Sequence, residues 1–312
     1  MSKYYCLIAG LPDVTIDDTK LTYSVAEFKK VLLPILSKHD TSLVRWFFLE
    51  YDNENLLSYL RSGSIHKFDE RGNLTSDEII EICNSLKNGK KIPSGLSVPK
   101  YFAKFLTEYY DRFKEKSEED EEVEDVAEKE EDVDNEGNET PEYNVLLEDK
   151  LSSLYYNEAM KRGEKFFSSW FEFNLNIGNM LAVWNCREFG LEKGEFIVGD
   201  NEIAKQLRLS SRDFSLDIEN DYNNELMMIT EERDLFMREK RLDVLRWKWL
   251  EDNILYKTFD FVSVMSYLLR LEMIERWVGL NKVRGEKTFR ELVGEMKRGS
   301  TDALEKFKEN NK

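Results

Sequence analysis

The sequence predicts an all-α protein, and three observations support this prediction. All five prolines lie at or before Pro141, so the following 171 residues contain none, which suits long helices because proline disrupts a helix interior. Apolar residues recur at three- and four-residue steps through much of the chain, as on one face of an α-helix. Ser24 and the Thr75–Glu78 pair stand where helix caps are expected, since their side chains can bond the free N–H groups of a first turn.

The clearest of these helices is predicted over Phe261–Gly279. Its apolar face is formed by Val264, Tyr267, Leu268, Leu271, Ile274 and Val278. Glu275 lies one turn after Leu271, within or beside this face, where a carboxylate needs a partner or a route to water. By residue type, Arg187, Arg270 and Arg276 are candidate partners of Glu275 and of Glu272 on the same helix.

The remaining elements are also predicted to be helical, apart from the opening at Tyr4–Pro12, which fits either a strand or a helical turn. Four residues seven apart, Met228, Leu235, Leu242 and Trp249, predict a helical seam within a long stretch over about 218–253. Packing within the chain is the first interpretation of this seam, and exposure to another helix is the alternative. Further helices are predicted over 25–37, 41–62, 76–88, 100–113, 146–161, 164–189, 201–209 and 288–297.

Charge divides the chain into segments. Residues 115–139 hold fifteen Asp or Glu and two Lys, a local charge of −13, which leaves −4 of the total −17 for the rest. Such a segment has little apolar surface to offset chain ordering. We therefore expect a helical unit over 1–113, a disordered acidic linker over 114–141, and a long-helix region over 142–312. A docking segment for a basic partner is the alternative for the linker. Nucleic acid is not an expected partner, because no broad excess of Lys and Arg remains.

A polar pair with three-residue spacing occurs on three predicted helices: Asp52 and Asn55, Asn176 and Asn179, and Glu272 and Glu275. Apolar residues precede the pairs at shared offsets, with Phe47, Phe171 and Tyr267 five residues before, and Leu49, Phe173 and Leu269 three before. This pattern predicts one supersecondary unit used three times, although amphipathic helices also align by chance. The six polar residues are predicted to be architectural, because unpaired polar groups in a core are costly.

Known chemical signatures are absent from the sequence. It contains neither a P-loop nor the nucleophile signatures of common hydrolases. His39 and His66 lie in different segments without metal-ligand spacing to a cysteine, and three widely spaced cysteines fit a reducing cytoplasm. We therefore expect no catalytic residue, no cofactor and no metal. Phe166–Cys186 is apolar but contains several asparagines, so a buried helix is favoured over a membrane span.

The three copies and the N-terminal opening together resemble known families. The third copy, with Phe261, Tyr267-Leu268-Leu269 and Glu272, resembles the C-terminal helix of the C/d subunit of V/A-type ATPases, which is called d in eukaryotes. The middle copy, with Phe166-Phe167, Asn176-x-x-Asn179 and Arg187, resembles that family's aromatic segment followed by Asp-x-x-Asn, and Asp52-Asn53-Glu54-Asn55-Leu56 resembles its Asp-x-x-Asn-Leu run. The opening Tyr4-Tyr5-x-Leu7-Ile8-Ala9-Gly10-Leu11-Pro12 resembles an uncharacterised bacterial family encoded beside V-type ATPase subunits.

This chain departs from the C/d family pattern at three positions. Leu271 stands where that family has Lys, Asn176 replaces Asp, and the second Glu falls one place late, at residue 275. These departures argue against transferring any particular salt bridge from that family. They affect the expected architecture less.

The resemblance implies three related helical bundles in a pseudo-threefold, funnel-like arrangement. Such a chain would be a non-catalytic central-stalk subunit of a bacterial V/A-type rotary ATPase, coupling the central shaft to the membrane proteolipid ring for ion transport. It would be cytoplasmic and peripheral to the inner face of the cell membrane through the complex, without a span of its own. The interface residues and the transported ion are not indicated.

Two other classes of function stay open. The chain could be a cytoplasmic helical adaptor or assembly factor that binds a protein partner through the acidic segment or the 228–249 seam. It could also be an all-α hydrolase with an unrecognised carboxylate site, which ranks third.

Overall fold

The computed structural model describes residues 4–65, 67–96, 98–122, 141–209, 222–254 and 259–281, with the backbone alone for 113–122 and 141–146. All regular secondary structure in these residues is helical, which confirms the predicted all-α class. The helices are α1 (Tyr5–Ala9), α2 (Val25–Leu32), α3 (Lys38–Phe47), α4 (Leu49–Ser62), α5 (Ser76–Lys87), α6 (Lys100–Glu122), α7 (Pro141–Ala159), α8 (Lys165–Phe189), α9 (Lys193–Phe196), α10 (Glu202–Leu209), α11 (Asn223–Thr230), α12 (Leu235–Ile254) and α13 (261–281).

The chain divides into two compact units. The larger unit comprises Ile35–Leu245, and the smaller unit joins the two ends of the chain, Met1–Pro34 and Arg246–Lys312. This partition differs from the sequence-based boundaries at 113 and 141, because it groups residues by proximity in space and not by composition. The α6 backbone continues to Glu122, beyond the predicted start of the acidic linker. Residues 123–140 and the helix predicted over 288–297 lie outside the described residues.

Caps define several helix ends as the sequence predicted. The Ser24 side chain accepts a hydrogen bond from the Glu27 N–H, and the Glu27 carboxylate accepts one from the Ser24 N–H at 2.9 Å, which completes a capping box. Thr75 and Glu78 form the same box at the start of α5. Gly63 ends α4 with φ +69°, a conformation that is unfavourable for residues with a β-carbon.

Two predicted helices are divided in the structure. The helix predicted over 41–62 is broken at the buried residue Phe48 into α3 and α4. The stretch predicted over 218–253 is broken between Thr230 and Leu235, where Asp234 accepts a hydrogen bond from the Phe236 N–H in the first turn of α12.

The second break makes the predicted seam wrong. Met228 and Leu235 are 59% and 63% exposed, whereas Leu242 is 2% exposed. The heptad spacing therefore does not describe one continuous buried face, because residues 231–234 interrupt the helix that would carry it. Tyr4–Pro12, which the sequence left undecided, contains the short helix α1.

The core of the larger unit lies around α4 and α8. Helix α4 packs against α3, α5 and α7, and α8 packs against α7, α9, α10 and α11. The rings of Trp46, Tyr101 and Tyr155 meet with centroid separations of 5.5–6.2 Å. The Arg162 guanidinium lies 3.8 Å from the centroid of the Trp46 ring, in cation–π contact. These contacts place the polar pairs of α4 and α8 on two central helices.

The smaller unit is centred on α13 and α2. Val264, Leu268 and Ile274 of α13 are fully buried, as are Val25 and Leu32 of α2. The ring of Phe28 meets the ring of Tyr267 edge to face, with centroids 5.2 Å apart. The predicted apolar face of the 261–279 helix is therefore confirmed as a core face. Among the described helices, none is both long enough and apolar enough to cross a membrane.

Candidate functional site: the buried polar pairs

Asn55 holds the segment that follows α4. Its amide nitrogen donates to the carbonyl oxygen of Asp69 at 3.0 Å, and its amide oxygen accepts from the N–H of the same residue at 2.9 Å. The carboxamide thus matches the paired donor and acceptor of one peptide backbone residue. Asn55 is 2% exposed, so these bonds satisfy polar atoms that water does not reach.

Asp52, one turn earlier, holds the same segment closer to α5. Its carboxylate accepts hydrogen bonds from the N–H of Asn73 at 2.8 and 2.9 Å, the Asn73 side-chain amide at 3.0 Å and the Leu74 N–H at 3.0 Å. The side chain is fully buried. Thr75, the next residue, caps α5. The polar pair on α4 therefore fixes the approach to the following helix.

Asn179 makes the corresponding contact on α8. Its amide nitrogen donates to the carbonyl oxygen of Val198 at 2.7 Å, and its amide oxygen accepts from the Val198 N–H at 2.8 Å. This is the same two-bond contact that Asn55 makes with Asp69. In each case the amide bonds the backbone of a single residue in the loop that leads to a later helix, α5 for Asp69 and α10 for Val198. We call each of these two contacts an amide clamp.

Asn176, one turn before Asn179, also holds the approach to a helix. Its amide oxygen accepts a hydrogen bond from the Asn201 side chain at 2.8 Å, and its amide nitrogen donates to the Tyr222 hydroxyl at 3.4 Å. Asn201 in turn accepts from the Ala204 N–H at 3.0 Å and caps α10. Asp52 holds its segment directly through backbone N–H groups, whereas Asn176 acts through another side chain.

The third pair lies on α13, in the smaller unit. The Glu275 carboxylate accepts a hydrogen bond from the N–H of Val25, the first residue of α2. The second residue of the third pair therefore also holds the beginning of a helix, although with a carboxylate instead of an amide. Glu272 and Glu275 are partly exposed, unlike the buried residues of the first two pairs.

Two of the three arginines predicted as partners, Arg270 and Arg276, contact aromatic rings. Arg270 lies 4.8 Å from the centre of the Trp247 ring and 3.8 Å from Glu251 Oε1. Arg276 stacks over the ring of its neighbour Trp277 at 5.4 Å. The described partner of Glu275 is thus a backbone N–H group, which residue-type matching could not identify.

Sequence reasoning also missed the side chains that complete these networks. Asn73, Asn201 and Tyr222 bond the polar pairs from loops, where no periodicity marks them. The Tyr101 hydroxyl donates to Asn53 at 2.9 Å, within the Asp52–Asn55 run. Burial raises the pKa of Tyr101 well above its ordinary value, so the hydroxyl stays protonated and can donate.

The arrangement of these pairs suits holding a fold more than acting on a ligand. The hydrogen bonds above join groups within the chain. A shallow, open recess of about 380 Å³ lies elsewhere, along α5 between Asp77, Asn84 and Lys90. Within the described residues, no group of three or more His, Cys, Asp or Glu side chains is placed to hold a metal ion.

Burial raises the pKa of three titratable groups elsewhere on α4, α5 and α7. Burial raises the pKa of Asp149 on α7 to about 6, and the nearby charge of Glu148 adds to this shift. Burial, followed by the charge of Asp69, also raises the pKa of Glu54 on α4. Burial raises the pKa of the Cys83 thiol to about 12, which leaves it protonated and unreactive at neutral pH.

Comparison with known proteins identifies a family without an assigned function. No curated protein and no solved structure matches the chain significantly. The family model DUF2764, described as a protein of unknown function, matches residues 1–300 and so covers both units and all three polar pairs. The chain therefore belongs to the DUF2764 family.

Proposed function

We propose that this chain is a non-catalytic central-stalk subunit of a bacterial V/A-type rotary ATPase. It would couple the central shaft to the membrane proteolipid ring at the cytoplasmic face, and ATP hydrolysis would occur on other subunits. The proposal includes the pseudo-threefold arrangement of helical units and the peripheral attachment to the membrane through the complex. It is based on the motif resemblance to the C/d subunit and on one structural observation.

That observation is the recurrence of the amide clamp. Asn55 and Asn179 occupy the same position in their motifs, and each bonds the N–H and carbonyl oxygen of one residue in a loop that leads to a later helix, α5 or α10. Chance alignment of amphipathic helices would not account for matching tertiary contacts at matching positions. The clamps thus favour repeated units, which is the architecture that the resemblance implies.

The clamps also suit a mechanical role. A torque-transmitting part must keep its helices in fixed relative positions under load. Buried side-chain networks whose polar groups are satisfied hold neighbouring segments rigidly, because breaking them exposes unpaired groups to a low-dielectric interior. The pairs on α4 and α8 fasten the beginnings of α5 and α10 in this manner.

Co-purification tests the proposal directly. The chain would carry an affinity tag in its native bacterium, and a subunit of the catalytic head would carry a second tag in a separate strain. We expect each tag to recover the other protein together with the proteolipid ring. Recovery of an intact, ion-pumping ATPase that lacks this chain would contradict the proposal.

A coupling assay separates a stalk subunit from an adaptor or assembly factor. If the chain couples shaft to ring, removing it from the assembled complex should leave ATP hydrolysis but abolish ion pumping, and adding it back should restore pumping. An assembly factor would be absent from the finished complex, and its removal would leave pumping intact.

A further inference from the structure

Residues 4–32 and residues 259–281 meet in the smaller unit. Helix α2 is held at its first residue by Glu275 of α13, and Phe28 of α2 packs on Tyr267 one turn further along α2. The ring of Tyr5 in α1 lies 4.7 Å from the ring of Phe259, just before α13. We call residues 4–32 the N-terminal strap.

Like the clamped segments of the larger unit, the strap is bonded by the second residue of a polar pair. In the larger unit, the held residue follows its clamp by 14 residues for Asn55 and by 19 residues for Asn179. In the smaller unit, Val25 and Glu275 are 250 residues apart. The helix that completes this unit therefore comes from a part of the chain far from α13 in sequence.

The closed position carries an energetic penalty. The Tyr267 hydroxyl is buried and has no hydrogen-bond partner within the described residues, and the neighbouring Ser266 hydroxyl is in the same state. An unsatisfied buried hydroxyl disfavours the conformation that buries it, because water would bond it in the open conformation. Tyr267 is also the residue on which Phe28 packs, so the penalty is located beneath the strap.

The outer part of the strap is weakly anchored. Of residues 4–24, Tyr4 is buried, at 3% exposed, whereas residues 5–24 include no buried residue, and Tyr5 is 53% exposed despite its contact with Phe259. Cooperative local opening takes place in segments that have few buried contacts. The buried residues of α2, among them Val25 and Phe28, provide the main apolar anchor, with Glu275 at the first turn.

We propose that the N-terminal strap opens and closes over α13 as one cooperative segment, with Glu275 as its latch and the Tyr267 hydroxyl as the group that favours opening. Opening uncovers α13 around Tyr267 and Glu275 while α4 and α8 stay folded. This conformational device does not depend on the proposed function.

Hydrogen–deuterium exchange of the full-length chain tests the device with variants of opposite effect. In Glu275→Ala, we expect residues 4–32 to exchange about tenfold faster or more, while residues 49–62 and 165–189 keep their rates. Glu275→Gln retains a side-chain oxygen that can accept the Val25 N–H and should stay close to the parent. Tyr267→Phe removes the unsatisfied hydroxyl and should slow exchange in residues 4–32 several-fold.

Asn55→Ala is the matched control, since it removes a clamp in the larger unit. It should accelerate exchange around residues 69–74 without affecting residues 4–32. If Glu275→Ala does not fold, Tyr267→Phe still decides the question. The proposal is overturned if residues 4–32 exchange at the rate of α4 and α8 in the parent, or if Tyr267→Phe leaves their rate unchanged or raises it.

Discussion

Gly72 lies directly against the carboxylate of Asp52, so that a β-carbon added at residue 72 would stand 2.3 Å from Asp52 Oδ1. This proximity lets the segment after α4 approach closely enough for Asn73 and Leu74 to donate their N–H groups. A glycine is therefore needed at residue 72, because the fully buried carboxylate of Asp52 occupies the space that a side chain would take.

Gly72→Ala should destabilise the protein by about 1–3 kcal/mol, because the new methyl group forces Asp52 or its segment to move inside a packed region. Chemical denaturation followed by circular dichroism would measure the change. Gly163→Ala is the matched control, since a β-carbon there has no neighbour within 4 Å, and the control should change stability by less than about 1 kcal/mol. Equal effects at both positions would contradict the steric argument.

Asn179→Asp should destabilise the protein by about 2–4 kcal/mol while changing the side-chain volume very little. The new carboxyl group loses the amide donor for the Val198 carbonyl oxygen and, when ionised, places a buried negative charge 2.7–2.8 Å from the positions of its backbone partners. The loss of stability should be smaller at low pH, where protonation of the new carboxyl group restores a donor for the Val198 carbonyl oxygen.

Asn174→Asp on the same helix provides the comparison for this variant. The Asn174 amide bonds the Trp170 carbonyl oxygen within α8, in a less buried position. We expect a loss below about 1 kcal/mol there. A similar loss for both variants, measured by urea denaturation between pH 5 and 8, would show that the amide clamp has no special importance.

Asp149→Asn should have a more stabilising effect on the free energy of unfolding at pH 7.5 than at pH 4. Burial raises the pKa of the folded-state carboxyl to about 6, above the value near 3.9 of an unfolded chain. The folded state therefore binds this proton more tightly. The stabilisation of the folded state by this tighter proton binding is complete below pH 4 and is lost as pH rises through 6.

The asparagine variant lacks that loss, so its gain in stability over the parent should grow between pH 4 and 7.5. The growth should reach at most about 1 kcal/mol, because solvent screens the partly exposed site.

Glu108→Gln serves as a contrast. A hydrogen bond from Lys150 lowers the pKa of Glu108, so this bond contributes stability above the ordinary pKa of Glu and loses it as pH falls. Denaturation curves at several pH values would reveal opposite trends, and parallel trends would contradict both assignments.

Thiol labelling of the native protein should modify Cys6 alone at an appreciable rate. Cys6 is exposed, whereas Cys83 and Cys186 are 1% and 2% exposed, and burial raises the pKa of both buried thiols. Only the thiolate reacts readily. A colorimetric disulfide reagent should therefore titrate one thiol in buffer and three in denaturant, and fast reaction of a second thiol in buffer would contradict the packing of α5 or α8.

Local sequence patterns predict the helices that begin with strong caps or end at glycine. The capping boxes at Ser24 and Thr75 and the end of α4 at Gly63 depend on neighbouring residues, so the sequence is sufficient there. Heptad spacing over 228–249 fails because a periodic pattern does not register a four-residue break such as the one before Leu235.

The polar pairs could be found from the sequence, but their partners could not. Asn55 and Asn179 stand out as polar residues on apolar helices, whereas Asp69 and Val198 share no side-chain chemistry that would mark them. Residue type predicts an arginine partner for Glu275, because opposite charges attract. Its described partner is a backbone N–H 250 residues away, which side-chain patterns cannot reveal.

The amide clamps have a consequence for how this family can diverge. Each clamp bonds the backbone N–H and carbonyl oxygen of the held residue, and every residue except proline offers the same N–H and carbonyl pair. The side chain at the held position can therefore vary, from the acid of Asp69 to the aliphatic Val198, while the contact is kept. Two copies of the repeated helical motif can consequently lose nearly all resemblance in sequence while each keeps the same pair of bonds.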